Sequence, residues 1–172
     1  MSDTGRVEED GEKNTLKGDK MQIASIVDDL GASQRNFYMI KEFNKGAVSK
    51  DLSMGAFYNR PSMCITTPHF SCKNISFLSG YHGVAISTTI EGADSLLKSH
   101  NNSDKYLYLW NIEWLSSVVN FDAVCRILLD DRLKIIARSD SHATAINNFC
   151  NKKISGVLDN WNIDKLLEIV NE

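Results

Sequence analysis

The most constraining feature of this chain is an alternation. Short apolar runs, each too short for a helix of ordinary length, are separated by stretches whose apolar residues recur every three or four positions. Tyr106–Trp110 (YLYLW) is the clearest run. It is apolar throughout, as a strand covered on both faces requires. Gln22–Val27, Ser53–Tyr58, Ile75–Leu78, Val84–Ser87, Leu133–Ala137 and Ile154–Leu158 read as further strands. Between them lie helical patterns. Phe37, Ile40 and Phe43 or Asn44 form one, with Met39 widening the stripe and Gly46 fitting its end. Ile90, Ala93, Leu96 and Leu97 form the next. Leu115, Val118 and Val119 lead into Val124, Ile127, Leu128 and Leu129. Ala143, Ile146 and Phe149 precede the last strand, and Ile163, Leu166, Leu167 and Val170 follow it. Ser33, Thr88 or Thr89, Ser139 or Asp140, and Asn162 stand where a side-chain oxygen caps a helix by accepting from an orphan N–H.

Strands that alternate with helices pair in parallel through right-handed crossovers. The expected fold class is therefore α/β, a three-layer Rossmann-like domain with a mostly parallel sheet, over residues 21–172. Residues 1–20 (MSDTGRVEEDGEKNTLKGDK) are different. Only Val7 and Leu16 could add core, so this segment reads as a disordered charged tail whose burial would not offset its ordering entropy.

Composition narrows the function classes. The chain has 172 residues and a formal net charge of -3, so no strong field draws it to nucleic acid or to an anionic membrane. No apolar run approaches the roughly 20 residues that span a bilayer. Cys64, Cys72, Cys125 and Cys150 form no C-x-x-C pair. With no apolar signal segment at the start, they read as small apolar side chains of a reducing, cytoplasmic compartment. His69, His82, His100 and His142 are scattered, and the pattern predicts no metal site.

Ligands of open parallel sheets bind beyond the carboxyl ends of the strands, which narrows the search to four loops. In the first, Asp28, Asp29, Gly31, Ser33 and Arg35 lead into a helix N-terminus suited to an anion. Its one glycine is short of the G-x-G-x-x-G fingerprint, and no G-x-x-x-x-G-K-[ST] occurs. Asp28 and Asp29 could hold Mg²⁺ as the acidic pair of a receiver domain does. However, Phe77-Leu78-Ser79 and Ala137-Arg138-Ser139 lack the acceptor Asp and the Lys of that family. In the second, Arg138, Ser139 and His142 could hold a phosphate or a sugar hydroxyl. In the third, Asp159 beside Trp161 suits sugar recognition, a ring covering an apolar sugar face. In the fourth, Glu113 could act as a general base if desolvated. Each has a plainer alternative: an acidic turn, a helix cap, or first-turn charge. No G-x-S-x-G elbow is present.

The segments QIASIVDDLGASQRNFYMIKEF and LKIIARSDSHATAINNFCNKKISGVLDNWNIDKL resemble the N-terminal Rossmann-like half of a GT-B glycosyltransferase. The second places Ser139 at a strand end, then a helix, then a strand leading to Asn160 and to Ile163-Asp164. The resemblance covers the whole folded part. It implies a domain that binds a sugar acceptor or a nucleotide sugar, with or without Mg²⁺. Asp29 or Glu113 would be the base, and Asp28, Gly31, Ser33, Arg35, Arg138, Ser139, His142 and Asp159 would be binding residues. The donor-binding Arg or Lys and Glu of the family's second domain have no counterpart here, so turnover would need a partner chain. The other reading is a non-catalytic Rossmann-like module that forms a homo-oligomer or docks on a partner protein.

Overall fold

A computed structural model describes residues 20–50, 52–101, 103–112 and 121–172. Nearly all of the charged tail, and Glu113 with the Leu115–Val119 pattern, lie outside the described residues. The elements run β1 (Gln22–Val27), α1 (Gln34–Ser49), β2 (Ser53–Tyr58), β3 (Ser71–Asn74), a 3-10 helix (Ile75–Gly80), β4 (Val84–Ser87), α2 (Ile90–Lys98), β5 (Asp104–Leu109), α3 (Phe121–Leu128), β6 (Leu133–Ala137), α4 (Asp140–Cys150), β7 (Ile154–Val157) and α5 (Ile163–Val170).

The strands form one seven-stranded sheet in the order β3-β2-β1-β4-β5-β6-β7, with every neighbouring pair parallel. The order reverses between β1 and β4. Two layers of helix follow from the period of two along each strand. Ile23, Val27, Met54, Ala56, Val84, Ile86, Tyr106 and Tyr108 face α1 and α5. Leu107, Leu109, Leu133, Ile135 and Ala137 face α2, α3 and α4. The three-layer Rossmann-like fold expected from the alternation is the fold observed.

Three local expectations are corrected. Ile75–Leu78 is not a strand; it lies in the 3-10 helix, where the Asn74 side chain accepts from Ser76 N. The strand beside β2 is the polar run Ser71–Asn74, which sits at the sheet edge with alternating exposure. Gly46 does not end α1. It lies buried inside the helix because a Cβ there would stand 3.2 Å from Ile163, so the missing side chain lets α1 and α5 approach closely. Phe37 is exposed, and Asn36 takes the buried place beside Met39, Ile40 and Phe43. The remaining caps are Ser33, Thr89, Ser139 and Asn162.

Candidate functional site

The β1–α1 loop is held by its own residues. Ser33 Oγ accepts from Asn36 N at 3.1 Å. The buried Asn36 donates from Nδ2 to the carbonyls of Asp29 and Gly31, both at 3.0 Å. Asp29 Oδ1 accepts from Gly31 N at 2.7 Å, and Leu30 N donates to Ser62 Oγ at 3.0 Å. Asp28 pairs with Arg60, while its carbonyl accepts from Asn59 N and Arg60 N. The carboxylate holds the Arg60 guanidinium above its ordinary pKa. Arg35 Nη1 reaches across the switch point to the Thr88 carbonyl at 3.0 Å. The expected anion loop therefore directs its polar groups at shaping itself, and Asp28 and Asp29 turn to different partners. Among the described residues, no group of three or more His, Cys, Asp or Glu is placed to hold a metal ion. No described helix is long and apolar enough to cross a membrane.

At the carboxyl end of β6, Ser139 caps α4, accepting from His142 N at 3.3 Å, and lies 2.9 Å from Ser141 Oγ. His142 Nδ1 is buried and finds no hydrogen-bond partner among the described residues. Arg138 lies over the Trp110 ring, and Trp110 stacks on Tyr38 of α1 with centroids 6.3 Å apart. An aromatic chain continues inward from Trp110 to Tyr108, Trp161 and Phe43. Burial pushes the Tyr108 phenol well above its ordinary pKa; the charges of Arg138 and Asp159 act on it in opposite senses. The phenol itself donates to the Leu158 carbonyl at 2.6 Å.

The β7–α5 loop overturns one expectation. Trp161 is fully buried, so it cannot cover a sugar face. Asn160 and Trp161 take consecutive left-handed conformations, φ 45° and 61°. The turn places the indole 4.8 Å from Tyr108 and 5.5 Å from Phe43, centroid to centroid. Asp159 remains exposed at the rim.

Between α1 and this loop lies a cleft of about 400 Å³. Tyr38, Lys41 and Glu42 line it from α1, and Asp159, Asn160, Asn162 and Lys165 from the other side. Asn160 Oδ1 is buried without a hydrogen-bond partner among the described residues. Glu42 Oε2 accepts from Ile163 N at 3.2 Å and fixes the first turn of α5 against α1. Of the residues expected from sequence, the structure brings Asp159 to this cleft. Arg138 stands beyond it, connected through the Trp110–Tyr38 stack. Ser139 and His142 lie at the start of α4, Asp28, Asp29, Gly31 and Ser33 lie in the β1–α1 loop, and Arg35 turns to Thr88. Sequence reasoning missed Tyr38, Lys41, Glu42 and Lys165, and named Asn160 within the resemblance without giving it a binding role. Tyr38, Lys41, Glu42 and Lys45 recur at helical spacing, a polar stripe beside the apolar one, and that was the available signal.

Fold and cleft define a doubly wound α/β domain with a polar recess, walled on one side by Tyr38, between α1 and the β7–α5 loop. No protein-family model, no curated protein and no solved structure matches this chain.

Proposed function

We propose that this chain is a glycosyltransferase-like domain that binds a sugar acceptor or a nucleotide sugar in the cleft between α1 and the β7–α5 loop. The observation that supports the reading is the chemistry of that cleft. It joins the Tyr38 ring, the Asp159 and Glu42 carboxylates, the Asn160 amide and the Lys41 and Lys165 ammonium groups in one recess of about 400 Å³. Recesses of roughly 300–1,000 Å³ suit small ligands. Carboxylates and amides accept and donate to sugar hydroxyls. A phenol ring packs on the apolar face of a pyranose, and lysines attract phosphate. Arg138, joined to Tyr38 through the Trp110 ring, adds a positive charge behind that wall.

The test is thermal unfolding of the full chain against a panel of free sugars, nucleotides and nucleotide sugars, with and without Mg²⁺. A ligand at 100 times its dissociation constant stabilises a fold by about 2.7 kcal/mol. A shift with one ligand class supports the reading. A flat response across the panel overturns it.

A second reading, the non-catalytic interaction module, is favoured by the exposure of Met63 (93%) and Ile65 (54%) on the loop after β2. On that reading the chain self-associates in sedimentation, and Met63→Ser with Ile65→Ser returns it to a monomer.

A further inference from the structure

The loop joining β2 to β3 has no regular structure and closes over a second cavity, of about 360 Å³. Leu30, Tyr58, Arg60 and Phe70 line it, and so do Cys64 and Cys72. The two cysteines have different settings. Cys64, expected to be a small apolar side chain, is exposed. Cys72 sits half-buried on β3, opposite Ala56 of β2, with its thiol toward the Phe70 carbonyl at 3.8 Å. The loop is anchored on both sides of Cys64. Ser62 Oγ takes Leu30 N, and further along Asn44 Nδ2 donates to the Thr67 carbonyl while Asn44 Oδ1 accepts from His69 N. The short span carrying Cys64 lies between those anchors and lines the same cavity as Cys72.

We propose that Cys64 and Cys72 form a redox modification site, closing into an intramolecular disulfide across this cavity when a hydroperoxide oxidises Cys64. The chemistry balances in two steps. The Cys64 sulfur takes the distal oxygen of hydrogen peroxide and becomes a sulfenic acid, and one water leaves. The Cys72 sulfur then attacks the Cys64 sulfur. The S–O bond breaks, and the hydroxide departs as a second water with the Cys72 proton. Two thiols are oxidised by two electrons and one peroxide is reduced to two waters.

Exposure sets the order of events, since the oxidant meets Cys64 first. Burial, with Cys64 nearby, pushes the Cys72 thiol up to about 11. Cys72 therefore stays protonated, is spared direct oxidation and acts as the resolving thiol. Its weak nucleophilicity is offset by its position in the same cavity. Cys125 lies on α3, and Cys150 packs on α4 against the opposite face of the sheet, out of reach of this pair. The bridge ties the loop to β3, and thiol exchange with a reductant reopens it. None of this rests on the sugar-binding reading.

The test treats the full chain with hydrogen peroxide, blocks remaining thiols with N-ethylmaleimide and measures intact mass and unreduced peptides. The expected result is a monomer that has lost two hydrogens. Cys64 and Cys72 are then found in one linked peptide, the loss is reversed by dithiothreitol, absent in Cys64→Ser and retained in Cys125→Ser/Cys150→Ser. A chain that keeps all four cysteines alkylatable, one that accumulates sulfinic acid at Cys64 without a bridge, or one whose bridge maps to Cys125, Cys150 or a second molecule would overturn the proposal.

Discussion

Arg138 lays its guanidinium over the indole of Trp110, its central carbon 4.0 Å from the ring centroid. The pair joins the carboxyl ends of β5 and β6, and Trp110 in turn stacks on Tyr38 at the cleft wall. Cation–π contacts of this kind contribute about 0.5–2 kcal/mol, more when water is excluded. Trp110→Leu alone lowers stability because the ring is nearly buried and also packs on Tyr108. The contact itself is read from a double-mutant cycle with Arg138→Ala, by urea denaturation. A coupling of about 1 kcal/mol is expected. A coupling of zero would make the contact energetically silent.

Asp159 separates folding from binding. Its side chain is exposed, so Asp159→Ala leaves the melting temperature of the free chain unchanged within roughly 0.5 kcal/mol of stability. The same variant weakens any ligand-induced shift, because it removes the rim carboxylate of the cleft. Equal shifts in wild type and variant would move the ligand elsewhere on the molecule.

Gly83 enters β4 at φ 126°, and a Cβ there would stand 2.6 Å from the Gln22 carbonyl oxygen. Both the conformation and the contact exclude a side chain, and the obstacle is backbone, which does not swing aside. Gly83→Ala is expected to cost roughly 1–3 kcal/mol, read as a lower denaturation midpoint. Gly80→Ala is the control, since nothing lies within 4 Å of a Cβ at that position.

Asp130 accepts from Arg132 three times, from Nη2 at 2.7 Å, Nε at 2.9 Å and the backbone N at 3.0 Å. These bonds, chiefly those of the side chain, hold the Asp130 carboxyl at about 2. The folded pKa lies below the unfolded one, about 3.9. The stabilisation is therefore complete above about pH 5 and disappears as the pH falls from about 4 towards 2. Arg132 is well exposed, and solvent screening keeps the contribution small. Asp130→Asn should be less stable than wild type at pH 6, and the difference should shrink below about pH 4 and vanish only below about pH 2 in denaturant titrations. A difference that persists unchanged in acid would assign the loss to packing.

Local interactions were legible in the residues. The runs Gln22–Val27 and Leu133–Ala137 became strands because every position is buried or backbone-paired, and that demand shows in the side chains. Ser33, Ser139 and Asn162 cap helices because the bond each makes spans three residues. At the β3 edge of the sheet the signal fades. Ser71–Asn74 carries no apolar run because an edge strand buries little, and the more apolar Ile75–Leu78 was the better strand by composition alone.

The cleft was decided by tertiary structure. Tyr38, Lys41 and Glu42 meet Asp159, Asn160 and Lys165 because α5 returns to the face of the sheet that α1 covers, and Gly46 lets the two helices close. Trp161, an apt sugar platform on paper, is turned inward by two left-handed residues onto Tyr108 and Phe43. Periodicity and capping report interactions within a few residues, so the sequence by itself determined the layered class and the elements other than the β3 edge and the 3-10 helix beside it. Which polar faces meet depends on how distant elements pack, and that packing placed these groups in one recess.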